Sequence, residues 1–294
     1  MLTQLKSNVK TGLMLVAIFI AIRAFATPIY KYLTGSLHPF MLDVYISLAG
    51  IIVLGVFLGW QVPQFSALRR EDKLDFFKLT IISMVGALSL DLAIFYLPVK
   101  AFMIFISFLP IVVSFYSSFL LKEQPSKLLW LAAILATAGA IIFKSQGFSF
   151  GVGDALVLAG VFLFAVYPIV SRKYVHKIGE YELYLIDSSL YLPVAAGLAA
   201  VLGVVALPPL NFNYTLIFVF SVFAVFNLAG LLAVAATRHL PAHTFVTLTT
   251  ALVPIGAIAI SVLALGETIG LHEIVGGAVM ISAAVLAAWQ SGNK

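Results

Sequence analysis

The feature that most constrains this chain is a succession of apolar runs, each about as long as a lipid bilayer is thick. A helix crossing the hydrocarbon core needs roughly 20 mostly apolar residues. Ten runs of about that kind occur, at 12–29, 40–60, 76–97, 101–121, 128–143, 155–170, 183–207, 216–236, 245–265 and 274–289. Strands of a membrane barrel would be about 10 residues long and strictly alternating, and runs such as 128–143 show no alternation, so the runs read as helices. Charged residues make up 10% of the chain and hydrophobic ones 62%, against about 25% charged in a soluble domain. The expected fold is therefore an all-α integral membrane protein of ten transmembrane helices, with membrane lipids as its surroundings.

The net charge is +5, and most of the charged residues cluster between these runs. It describes a membrane surface, and no nucleic-acid partner is expected. Assigning alternate loops to alternate sides puts Lys6, Lys10, Arg69, Arg70, Lys73, Lys78, Lys122, Lys127, Arg172, Lys173, Lys177, Arg238 and Lys294 with the N-terminus, against Lys31, Lys100 and Lys144 opposite. Basic loops stay in the cytoplasm, so both termini are expected there, in a multi-pass protein of the plasma (inner) membrane. A competing reading takes the first run as a signal peptide, because Lys6 and Lys10 precede it and Ala24-Phe25-Ala26 resembles a cleavage site. Cleavage there would leave nine helices. The absence of cysteine removes disulfides, thiolate metal sites and a cysteine nucleophile.

Sliding the chain against itself by 144 residues brings Pro110 onto Pro254, Ile111 onto Ile255, Ser117 onto Ser261, Leu121 onto Leu265, Glu123 onto Glu267 and Asp43 onto Asp187. Paired prolines, glutamates and intramembrane aspartates are rarer coincidences than paired leucines. They predict two five-helix repeats, residues 1–147 and 148–294. An odd number of spans inverts the second repeat relative to the first, as in many secondary transporters. The stretch from Leu97-Pro98 through Leu109-Pro110 to Lys122-Glu123, echoed by Leu240-Pro241, Val253-Pro254 and Leu265-Gly266-Glu267, resembles the EamA pattern of the drug/metabolite transporter superfamily. In that pattern a proline lies in the middle of the fourth helix of each half and a glutamate just after it. The family often has an arginine early in its second helix, whereas this chain reads Leu42-Asp43-Val44-Tyr45.

Pro110 and Pro254 are expected kink and gating positions, since each frees a backbone carbonyl within a helix. Glu123 and Glu267 are expected to cap the helices that follow them. A charge at mid-bilayer costs about 2.5–3.5 kcal/mol on insertion scales, which singles out four groups. Asp43 and Asp187 lie near their helix starts and can reach the headgroups or a loop lysine. Arg23 and Asp91 each lie six residues from the outer end of a span, roughly 9 Å deep, and can meet at one depth. Neither has a charged counterpart in the other repeat, where the position matching Asp91 is Val234. The resemblance implies a central cavity lined by the first, third and fourth helices of each repeat, to which Phe25, Tyr96, Tyr167, Asn227 and the run Thr244, Thr247, Thr249 and Thr250 would contribute. The fifth and tenth spans offer Ala132, Ala133, Gly139, Gly276 and Gly277, which suits close helix packing.

No Walker loop, His-Glu-x-x-His helix or serine elbow is present, so neither an enzyme, a metal site nor a cofactor is expected. The reading is a secondary transporter working by alternating access, with protons as a candidate coupling ion. The resemblance implies export of amino acids or related zwitterionic or amine compounds. Alternatives are an importer of another metabolite (a vitamin, a choline-like cation or a nucleotide derivative), a non-transporting membrane scaffold, and a membrane enzyme acting on lipids.

Overall fold

A computed structural model describes residues 2–97, 99–143, 151–265 and 270–292. Pro98, Lys144, Gly266, Glu267 and Lys294 lie outside the described residues. The helices are α1 (Leu2–Arg23), α2 (Ala26–Leu33), α3 (Pro39–Phe57), α4 (Pro63–Ser66), α5 (Arg70–Tyr96), α6 (Val99–Ile106), α7 (Leu109–Leu120), α8 (Lys127–Phe143), α9 (Val152–Phe164), α10 (Val166–Ile178), α11 (Glu180–Val201), α12 (Phe212–Phe220), a π-helical stretch (Ser221–Leu228), α13 (Ala229–His239), α14 (Ala242–Leu265) and α15 (Leu271–Gly292). Among the described residues six helical segments are long and apolar enough to cross a membrane: Val9–Leu33, Pro39–Phe57, Arg70–Tyr96, Val152–Ile178, Glu180–Val201 and Phe212–His239. Four further apolar helices, Leu109–Leu120, Lys127–Gly139, Ala242–Ala257 and Ile274–Ala287, are shorter. The chain is thus an integral membrane protein. Helix ends differ from the ends of the apolar runs, most clearly at α5, which starts at Arg70 instead of Phe76. A helix does not stop where lipid does, and Glu71 and Asp72 in its first turn complement the positive end of its dipole.

Several passes are interrupted. Pro110 does not bend a continuous helix but sits in the first turn of α7, after a break at Ser107 and Phe108. A proline is favoured there because the first helical amides need no intrahelical partner. At the break Thr137 of α8 donates its hydroxyl to the Ser107 carbonyl at 2.7 Å. Buried backbone groups in lipid require such partners. Its repeat mate Pro254 lies inside the unbroken α14, so the two prolines act differently. In the π-helical stretch Asn227 Nδ2 donates to Val222 O at 2.7 Å and to Ile46 O of α3 at 3.0 Å, tying the widened turn to α3. The turn from α10 to α11 is made by Gly179 at φ 74°, a conformation in which a Cβ would be strained.

The most extensive helix contacts are α8 with α15, α5 with α9, α3 with α11, and α1 with α13. At the first of these a Cβ on Gly139 would stand 2.8 Å from the Gly276 carbonyl oxygen and 3.0 Å from the Met280 amide nitrogen. Two backbones therefore meet with no room for a side chain, and Ala132 and Ala133 are fully buried beside them, as the small residues there lead one to expect.

At one end of the bundle the charges near the helix ends are paired, two of the pairs across the two halves and the third within the second. Lys173 Nζ lies 2.7 Å from Asp75, Lys177 Nζ 2.8 Å from Asp72, and Arg238 2.8 Å from Glu180. Glu123 corrects an expectation, for it does not cap α8. Ser126 does so, its hydroxyl accepting from the Leu129 amide at 3.2 Å. Glu123 instead receives Arg172 Nε at 3.3 Å and stands 3.3 Å from His243 Nδ1. Arg172 also donates to the Thr237 and Arg238 carbonyls at 2.8 and 3.0 Å, closing the open end of α13. The reason is reach: a glutamate three residues ahead of a helix is free to turn toward a guanidinium, which binds a carboxylate more strongly than backbone amides do.

Candidate functional site

Between the two halves lies a cavity of about 210 Å³, smaller than the roughly 300–1,000 Å³ of drug-sized sites. Its wall is built from helix faces. Arg23, Ala26, Thr27 and Tyr30 come from α1 and α2, Asp43, Ile46 and Ser47 from α3, Ala87, Asp91 and Ile94 from α5, and Tyr184, Asp187, Ser188 and Tyr191 from α11. The spacings of three and four residues place each set on one helix face. Phe102 of α6 and Phe226 of the π-helical stretch supply apolar surface. The second helix of each half therefore contributes, where the resemblance implied the first, third and fourth.

Arg23 ends α1, where the negative end of the helix dipole favours a cation, and its guanidinium carbon stands 5.9 Å from the Phe226 ring centroid. Asp43 is 5% exposed. Its Oδ1 accepts from the Tyr30 hydroxyl at 3.0 Å, while its Oδ2 is buried with no hydrogen-bond partner. Asp91 Oδ2 accepts from the Tyr191 hydroxyl at 3.0 Å. The Tyr184 hydroxyl donates to Asn227 Oδ1 at 3.2 Å, and the Tyr30 ring meets the Phe226 ring edge to face with centroids 5.8 Å apart.

The structure brings Arg23 and Asp91 to the same cavity, but no salt bridge joins them; Asp91 is held by Tyr191. Asp43 and Asp187 do not turn to the headgroups or to a lysine. Lys31, in the last turn of α2 and the lysine nearest in sequence to Asp43, donates to the Ile94 and Phe95 carbonyls at 2.9 Å each, at the end of α5. The other expected contributors are not among the residues lining this cavity. Phe25 and Tyr96 are exposed on the outside. Tyr167 stacks on Phe164 with centroids 5.5 Å apart. Asn227 is committed to Ile46, Val222 and Tyr184. Thr247, fully buried, bonds the His243 carbonyl of its own helix at 2.8 Å. Sequence reasoning passed over Tyr30, Tyr184 and Tyr191, although the polar stripe 184, 187, 188, 191 was there to be read as one face.

A multi-pass helical membrane protein with a charged, partly aromatic cavity between its halves belongs to the class of small-molecule carriers. The sequence model of the EamA-like transporter family matches residues 10–144 and again 151–289. The chain belongs to the EamA-like transporter family, within the drug/metabolite transporter superfamily. No curated protein matches it in sequence. A protein of known crystal structure is similar over 96% of this chain and 98% of its own length, with a TM-score of 0.75 at 16% identity, a likeness of fold.

Proposed function

We propose that the chain is a secondary active transporter that exports a small metabolite bearing an ammonium group, an amino acid or a related amine, across the plasma membrane by alternating access. In this reading residues 1–147 and 148–294 are two inverted repeats of five membrane-crossing helices each, and both termini are cytoplasmic. The observation that carries the reading is the cavity, whose wall draws Arg23, Asp43 and Asp91 from one half and Asp187 from the other. Charged groups inside a membrane span mark substrate or ion pathways, because their insertion cost must be offset by function or pairing. Support for the repeats comes from packing. Exchanging the halves converts the contact of α1 with α13 into the contact of the sixth pass with α5, and leaves the α3–α11 and α8–α15 contacts in place. Protons are the coupling ion this reading favours, since carboxylates in the cavity can carry them.

Purified protein in sealed vesicles should exchange labelled amines or amino acids for internal unlabelled substrate, with saturation. Folded protein that exchanges nothing across a broad metabolite panel would favour a membrane scaffold.

A further inference from the structure

The transport reading leaves open whether the substrate needs a carboxylate for Arg23. The groups facing Asp43 across the cavity are Arg23, Tyr30, Asp91, Tyr184, Asp187 and Tyr191. Three carboxylates thus face one guanidinium, an excess of two acids when all are ionised. A zwitterion adds no net charge and would set its own carboxylate among three others. A cation with no carboxylate lowers the excess, and opposite charges attract more strongly away from bulk water. The second observation is the orphaned oxygen. Asp43 is 5% exposed and lines the cavity, yet its Oδ2 has no donor. The nearby hydroxyl protons do not serve it, since a phenol donates once: Tyr30 donates to the other oxygen and Tyr191 to Asp91. Asp187 likewise accepts no hydrogen bond from the described residues. Aromatic rings of Tyr30, Tyr184, Tyr191, Phe102 and Phe226 line the remaining wall, which suits an alkylammonium ion by charge and by cation–π attraction.

We propose that this cavity selects a small organic ammonium ion of net positive charge, with the ammonium donating to Asp43 Oδ2 and drawn by its repeat mate Asp187, while Arg23 offsets the field of the carboxylates and receives no substrate carboxylate. The volume of about 210 Å³ limits the ligand to a short amine.

The proposal rests on the cavity identified in the transport reading, but equilibrium binding tests it without flux. Full-length protein in lipid nanodiscs is titrated by calorimetry with isobutylamine against valine and with 1,4-diaminobutane against ornithine. Each amine should bind at least tenfold more tightly than its amino acid. Asp43→Asn should weaken amine binding about tenfold or more, the usual effect of losing a charge-assisted hydrogen bond, with an unchanged elution profile and thermal midpoint. Asp187→Asn provides the same test if the first variant does not fold. Amino acids binding as tightly as their amines, amines indifferent to both substitutions, or folded protein binding no amine would each overturn the proposal. Vesicles that exchange amino acids but not amines would sink this inference and keep the transport reading; amine binding without any exchange would do the reverse.

Discussion

The Tyr191 hydroxyl donates to Asp91 Oδ2 at 3.0 Å, tying α11 of the second half to α5 of the first across the cavity. Tyr191→Phe removes that donor and leaves a carboxylate short of its partner inside the membrane, a loss of about 1–3 kcal/mol. A lower thermal midpoint in detergent and impaired substrate exchange are expected. A variant as stable and as active as the parent would show that the bond carries nothing.

Arg23 and Asp91 line one cavity without a direct bridge. Arg23→Leu raises the excess of carboxylates over cations in the cavity from two to three, whereas removing Asp91 as well returns it to two. The double variant Arg23→Leu with Asp91→Leu should therefore recover much of the stability lost in Arg23→Leu and still fail to exchange substrate in vesicles. Recovery of both folding and exchange would reduce the two residues to a structural pair.

Arg172 joins Glu123 and the last carbonyls of α13. Since the chain has no cysteine, a single Ser117→Cys, fully buried beside His243, reports opening at this end. Adding Arg172→Ala should raise its alkylation rate from the side on which this cluster lies about tenfold, equivalent to about 1.4 kcal/mol. An unchanged rate would show that the cluster does not hold this end closed.

The same cluster is acid-sensitive. Burial pushes the Glu123 carboxyl up, but His243 and Arg172 outweigh it and hold the group below its ordinary value of 4.5. Its contribution is then fully present above that value and is lost as pH falls below it toward the folded value. Labelling at Ser117→Cys, divided by that of an exposed reference cysteine at the same pH so that the falling thiolate fraction cancels, should rise as pH drops below 4.5, and Glu123→Gln should abolish that rise. A rise that persists in Glu123→Gln assigns it to another group.

Gly139 and Gly277 make a matched pair for testing helix packing. Gly139→Ala places a methyl against the backbone of α15, and overpacking of this kind costs about 1–3 kcal/mol, whereas a Cβ at Gly277 meets nothing within 4 Å. Thermal midpoints should fall for the first and stay put for the second. Equal effects would separate the two helices in the membrane from the arrangement described.

The charge asymmetry of the loops predicts which side each faces. A tag inserted after Gln61, in the exposed turn following α3, should be reached only from the cytoplasm, and one replacing Asn211, ahead of α12, only from outside. A tag after Gln61 that is accessible from outside would overturn the assignment of both termini.

The sequence by itself determined that the chain lives in a membrane, because the run lengths and the lack of charge admit little else. It also carried the doubling of the chain, through Asp43 and Asp187 and the paired prolines, and it marked Arg23 and Asp91 as costly groups that something must offset. The tertiary structure alone decided what offsets them. Tyr191 and Asp91 are 100 residues apart, and helix rotation about its own axis, which decides whether a residue faces lipid or cavity, is set by neighbours distant in sequence. Arg23 lines the cavity, while Phe25, at the break between α1 and α2, is turned out to the exposed surface. Asn227 sits where the helix widens to a π turn, and no apolar period foretells that shift. Asp43 and Asp187 read as headgroup-facing from their place near helix starts. They line the cavity instead, because α3 and α11 pack against each other across the two halves.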